Sequence, residues 1–165
     1  MKTLLFAMNA DAESRVRPGG RGARIKQNIR QIGGNTLEMA KKLAVKTILV
    51  CDDSPETRLL LKSVLTNDGF AVLEAENGLV AQALAEAHIP NLIIMDVVMP
   101  GQDGITTIVK LAANPETSGI PIIIMTGKTA ITKLIDHDSL QVKAIFEKPF
   151  FMKDLRAKIA EIFND

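Results

Sequence analysis

Three carboxylates, a hydroxyl and an ammonium stand at the ends of four short apolar runs in this chain of 165 residues. Lys46–Cys51 runs into Asp52-Asp53, and Asn91–Met95 runs into Asp96. Ile120–Met125 runs into Thr126, and Ala144–Glu147 runs into Lys148-Pro149. Clustered carboxylates repel one another unless a counter-charge joins them. A hard divalent cation with oxygen ligands removes that cost, and Mg2+ characteristically takes one or two carboxylates plus phosphate oxygens. Lys148 offers a point charge for a phosphoryl oxygen, Thr126 a hydroxyl donor, and an aspartate can itself be the nucleophile. The set suits phosphoryl transfer, which needs positioning and charge neutralisation above all.

These residues lie up to 96 positions apart, so the fold must gather them. Apolar runs of four to six residues bounded by turn signals read as strands buried on both faces. From Lys46 onward such strands alternate with helical patterns. Ser54-Pro55 is an N-cap followed by proline at the first helical position. Leu59, Leu60, Ser63, Val64 and Asn67 follow helical spacing until Asp68-Gly69. Phe70–Ala75 reads as strand two, and Asn77-Gly78 as the turn into an Ala-rich helix, Leu79–Ala87. Asp103 caps a helix through Ala112, a further helix is expected within Lys128–Asp138, and Phe151–Phe163 closes the chain as a helix with Leu155, Ile159 and Ile162 on one face. Five βα units imply an α/β fold, a parallel sheet with helices on both sides. In such sheets ligands bind beyond the carboxyl ends of the strands, where all five residues fall.

Hydrophobic residues make up 47% of the chain and the net charge is +1. That charge is unevenly placed. Residues 1–45 hold nine Lys/Arg against three acids, whereas residues 46–165 hold eleven against sixteen. The basic leader includes the Gly/Arg-rich stretch Arg15–Arg24, expected to be flexible. It lacks the interleaved aromatics of a nucleic-acid stacking surface. Its first apolar stretch, Leu4–Met8, is shorter than the ~7–15 residues of a signal-peptide core. No run reaches the ~18 apolar residues that would span a bilayer, so a cytoplasmic location is expected. Met39-Ala40-Lys41-Lys42 reads as a natural start for the domain that follows. The single cysteine, Cys51, excludes an internal disulfide and reads as a small buried hydrophobe.

Residues 46–165 resemble the receiver domain of two-component response regulators, of the single-domain, chemotaxis-regulator type. The motifs that carry the resemblance are Ile48–Ser54 (ILVCDDS), Asp96–Gly104 (DVVMPGQDG), Ile124–Gly127 (IMTG) and Phe146–Phe150 (FEKPF). The resemblance implies a flavodoxin-like sheet of order 2-1-3-4-5. It implies that Asp96 accepts a phosphoryl group from the phosphohistidine of a sensor histidine kinase or histidine phosphotransfer protein. Asp53 and Asp96 would bind Mg2+ directly with the main-chain carbonyl of Val98, and Asp52 would hold it through water or position its ligands. Thr126 and Lys148 would contact the phosphoryl group, and a cis Lys148-Pro149 bond would aim the lysine inward. Output is expected from the face built by the 128–138 helix, strand five and the last helix. The family usually has an aromatic residue three positions before the lysine. Here that position is Ile145, and Phe146 follows it.

With the last helix ending at the end of the chain, the expectation is a stand-alone switch without a DNA-binding module, self-phosphorylating rather than a metabolic enzyme. An aspartate-nucleophile phosphatase would need a second acid two residues after Asp96, where Val98 stands. A receiver-like binding module that never uses phosphate is the remaining alternative. His88 and His137 read as solvated surface, Met95, Met99 and Met125 as packing, and Ser54 as a cap.

Overall fold

The computed structural model describes residues 45–127 and 140–164. The leader, the expected helix within Lys128–Asp138 and His137 lie outside them. Chain order is β1 (Thr47–Cys51), α1 (Pro55–Asn67), β2 (Ala71–Ala75), α2 (Gly78–His88), β3 (Leu92–Asp96), α3 (Gly104–Ala113), β4 (Ile122–Thr126), β5 (Val142–Glu147) and α4 (Met152–Asn164). The five strands are all parallel and run β2-β1-β3-β4-β5 across the sheet, the expected order.

Alternation along each strand sends side chains to two separate cores. One holds Leu49, Cys51, Ile93, Met95 and Ile124 against Ala81 and Ala85 of α2 and Ile108 and Leu111 of α3. The other holds Ile48, Val50, Ile94, Ile123 and Met125 against Leu61 and Leu65 of α1 and Leu155 and Ile159 of α4. Strands β3 and β4 are buried along their whole length, which is why they read as unbroken apolar runs. A register shift between Ile122 and Ile123 inserts Lys143 as an extra, exposed residue in β5. After it, Ile145 packs on the α2/α3 side and Phe146 on the α1/α4 side, where its ring stands 5.5 Å from that of Phe150.

Ser54 and Asp103 cap their helices as expected, and Asn77, read as part of a turn, caps the helix at Gly78. Ser54 accepts from the Thr57 amide, Asn77 from Val80 and Asp103 from Thr106. The phase of α1 differs from expectation: Leu61 and Leu65 face the sheet, while Leu59 and Leu60 are 68% and 57% exposed. Three consecutive leucines satisfy a helical period in more than one phase, so spacing alone does not choose the buried pair. Helix α2 ends on Ile89 with φ 43°, a left-handed conformation that the sequence does not announce in a β-branched residue.

Helices α2 and α3 start at glycines where neighbouring atoms leave no room for a side chain. A Cβ on Gly104 would lie 2.1 Å from the Asp96 carbonyl oxygen, and one on Gly78 would lie 2.0 Å from Thr107 Oγ1. The backbone contact at Gly104 seats α3 directly on the strand end that carries Asp96. Gly104→Ala is therefore expected to cost about 1–3 kcal/mol in urea unfolding, as overpacking against backbone does.

Candidate functional site

The strands deliver four of the expected residues to one edge. Asp52 follows β1, Asp96 ends β3, Thr126 ends β4 and Lys148 follows β5. Neighbouring strands are in register there: Cys51 pairs with Met95, Asp96 with Met125, and Thr126 with Glu147. The Lys148 amide donates to the Thr126 carbonyl at 2.8 Å, extending this join one residue past β5. The Lys148-Pro149 bond is cis.

Lys148 Nζ donates to Asp52 Oδ2 at 2.7 Å and to Asp96 Oδ2 at 2.5 Å. Asp52 and Asp96 are 1% and 6% exposed, while Asp53 lies open to solvent. One carboxylate oxygen from each of the three lies within 4.8 Å of the others. Each pair of unit charges so placed repels by about 3 kcal/mol at an effective dielectric near 20. One ammonium against three carboxylates leaves two negative charges. Burial pulls the Lys148 pKa down, but hydrogen bonds and charge from Asp52 and Asp96 outweigh it and hold the group above its ordinary value. Lys148 is thus a fixed cation.

The remaining oxygens are held by local backbone. Asp52 Oδ1 accepts from the Ser54 amide and Asp96 Oδ1 from the Val98 amide, both at 3.0 Å. Val98 is 45% exposed in the loop that follows β3, and Thr126 is fully buried. Asp53 accepts no hydrogen bond on its carboxylate among the described residues, which leaves it open to a ligand. Hard oxygen donors with two surplus negative charges fit a divalent cation of the Mg2+ type.

Sequence spacing did not reveal Arg58. Its Nη1 donates to the main-chain carbonyls of Asp52, at 2.7 Å, and Asp53, at 3.2 Å, so the acidic turn is clamped from α1. The only available signal was its place in the first turns of the helix that Ser54 caps. Cys51 is packing, as expected. Burial first, then the charges of Asp52 and Asp96, push its thiol up to about 12, and its sulfur rests 3.4 Å from that of Met99. Met95, Met99 and Met125 are likewise buried.

Residues 48–160 match the response regulator receiver domain family, and the chain belongs to that family. It is a receiver domain of the two-component response regulators, with the fold of the chemotaxis regulators. The chain is 44% identical to protein PilH of Pseudomonas aeruginosa over 81 residues, 49% of this chain and 67% of that one. It is 31% identical to sporulation initiation phosphotransferase F of Bacillus subtilis over 109 residues, 66% and 86% of the two chains. A histidine kinase of Formosa agariphila matches at 33% identity, but the match spans only 9% of that protein. Among solved structures, response regulator TrrA of Thermotoga maritima in complex with Mg2+ and BeF superposes with a TM-score of 0.64 at 27% identity, over 72% of this chain and 99% of that one.

Lys148→Met is expected to destabilise the metal-free protein by about 3 kcal/mol, because it leaves two buried carboxylates facing each other uncompensated. Adding Asp96→Asn to that variant should recover most of the loss, and a double-mutant cycle in urea measures both.

Proposed function

We propose that this chain is a phosphorylation switch in a two-component phosphorelay, with Asp96 as phosphoacceptor. The observation that carries the reading is the Lys148 ammonium bonded to both Asp52 and Asp96. Nothing in core packing demands that two buried carboxylates share one lysine, whereas a site built for phosphate needs both charges. An Asp96 oxygen forms the P–O bond as the P–N bond of a phosphohistidine breaks, and the imidazole leaves. Lys148 already sits against Asp96 Oδ2 and so meets the oxygens of the new phosphoryl group. Thr126, buried at the end of the adjacent strand, supplies the hydroxyl. Asp52, Asp53, Asp96 and the Val98 carbonyl would hold Mg2+, which neutralises charge on the transferring group. The chain turns over no metabolite, and slow hydrolysis is one route by which its phosphoryl group is lost.

The donor is a sensor histidine kinase or a histidine phosphotransfer protein. Leu59 and Leu60, exposed on the helix that begins beside Asp53, give such a partner an apolar foothold next to the phosphoacceptor. Output passes through protein contact at the side of the fold that carries β5 and α4. Ile145 on the α2/α3 side, with Phe146 on the opposite side of the sheet, favours a switch that moves without aromatic rotation.

Acetyl phosphate with Mg2+ is expected to add about 80 Da to the intact protein in a hydroxylamine-labile form. Asp96→Asn and removal of the metal by chelation should each abolish the gain; a gain that survives Asp96→Asn would reject the assignment. Leu60→Asp should slow transfer from a phosphohistidine protein at least about tenfold while sparing reaction with acetyl phosphate, as loss of one buried interface anchor does. Parallel rate measurements with the two donors check this.

A further inference from the structure

Six residues after Asp96, Gln102 is only 8% exposed, and both polar atoms of its side chain are engaged by two helices. Lys110 Nζ, from α3, donates to its Oε1 at 2.5 Å. Its Nε2 lies 2.9 Å from Thr107 Oγ1 on α3 and 3.4 Å from Gln82 Oε1 on α2. Its main-chain carbonyl accepts the Gly78 amide, the first of α2, at 3.1 Å. The Thr107 hydroxyl in turn donates to the Asp103 carbonyl at 2.8 Å, which fixes it as the acceptor for Gln102. The same spot is closed to added atoms, since a Cβ on Gly78 would stand 2.6 Å from the Gln102 carbonyl.

An apolar side chain would fill this volume without desolvating an amide. A fully satisfied buried polar cluster instead selects one geometry over its competitors. The segment it fixes is the loop 97–103. That loop carries Val98, whose amide donates to Asp96 Oδ1, while its far end is tied by the Gly104 amide to the Val97 carbonyl at 3.0 Å.

We propose that Gln102 is a positioning residue for the phosphoacceptor: its amide locks the 97–103 loop between α2 and α3 and so keeps the Val98 amide on Asp96 Oδ1. With Lys148 on Oδ2, the carboxylate is then held at both oxygens in one rotamer. The consequence for phosphorylation rests on the proposed function; the locking of the loop does not.

Gln102→Met keeps the side-chain length and removes the amide. Amide hydrogen exchange followed by NMR should show Val98 exchanging about fivefold faster, the factor for one net hydrogen bond lost, with Leu49 in β1 unchanged. Reaction with acetyl phosphate at saturating Mg2+ should slow by a similar factor. Gln102→Glu, which keeps the Lys110 contact but cannot donate, should fall between the two. Lys110→Met, altering an exposed residue, reports the same loosening if Gln102→Met does not fold. Unchanged exchange at Val98, or equal acceleration at Val98 and Leu49, overturns the proposal. A wild-type chain that takes up no phosphoryl group would reject the proposed function while the exchange result still stands or falls by itself.

Discussion

A single ammonium holds the functional edge of this protein together. Lys148 joins the end of β5 to the ends of β1 and β3, and without it two carboxylates would be buried side by side with nothing to balance them. Burial makes that pairing costly to break, since a charge left alone in a low-dielectric site loses its solvent as well as its partner. Yet the compensation is incomplete by design of the residue set: three acids face one base, and the surplus is what makes the edge attractive to a hard cation. Stability and ligand affinity are therefore set by the same charges. A pocket with perfect internal neutrality would be a sturdier end to the sheet and a poorer metal site.

The rest of the fold supplies geometry to that pairing. Five parallel strands bring their carboxyl ends level, and the helices that follow pack on the two cores with their starts set by caps and close backbone approaches. Gly104 lets α3 rest on the carbonyl of Asp96, Arg58 grips the backbone of the Asp52-Asp53 turn, and Gln102 ties the intervening loop to two helices. Each contact constrains main chain, which leaves the reactive side chains free of direct crowding. Rigid support that fixes functional side chains in one geometry is the arrangement that phosphoryl transfer requires.

The strands and the acidic edge were legible in the sequence because both are written in short-range terms. A strand buried on both faces must be an unbroken apolar run, and the residue after it must lie at the sheet's edge. Strand boundaries moved by only one or two residues: β3 takes in Asp96 and β4 takes in Thr126. Helix phase was less legible, since Leu59, Leu60 and Leu61 offered the period three alternative starting points. Arg58 and Gln102 were invisible for a different reason. Their partners are main-chain carbonyls and side chains of other elements, and no spacing along one element encodes them. The departure at Ile145 could be read from the sequence, but its meaning required the register shift in β5, which sends Phe146 to the other side of the sheet.

The order in which the ribosome delivers these residues gives the cis-proline lysine a further significance. Asp52, Asp53 and Asp96 emerge on β1 and β3, the middle of the sheet, well before Lys148 follows on an edge strand. The last of the three acids is therefore made 52 residues before the lysine that pairs with it. Only the docking of β5 brings Lys148 to Asp52 and Asp96, so closure of that edge strand and completion of the pocket are one event.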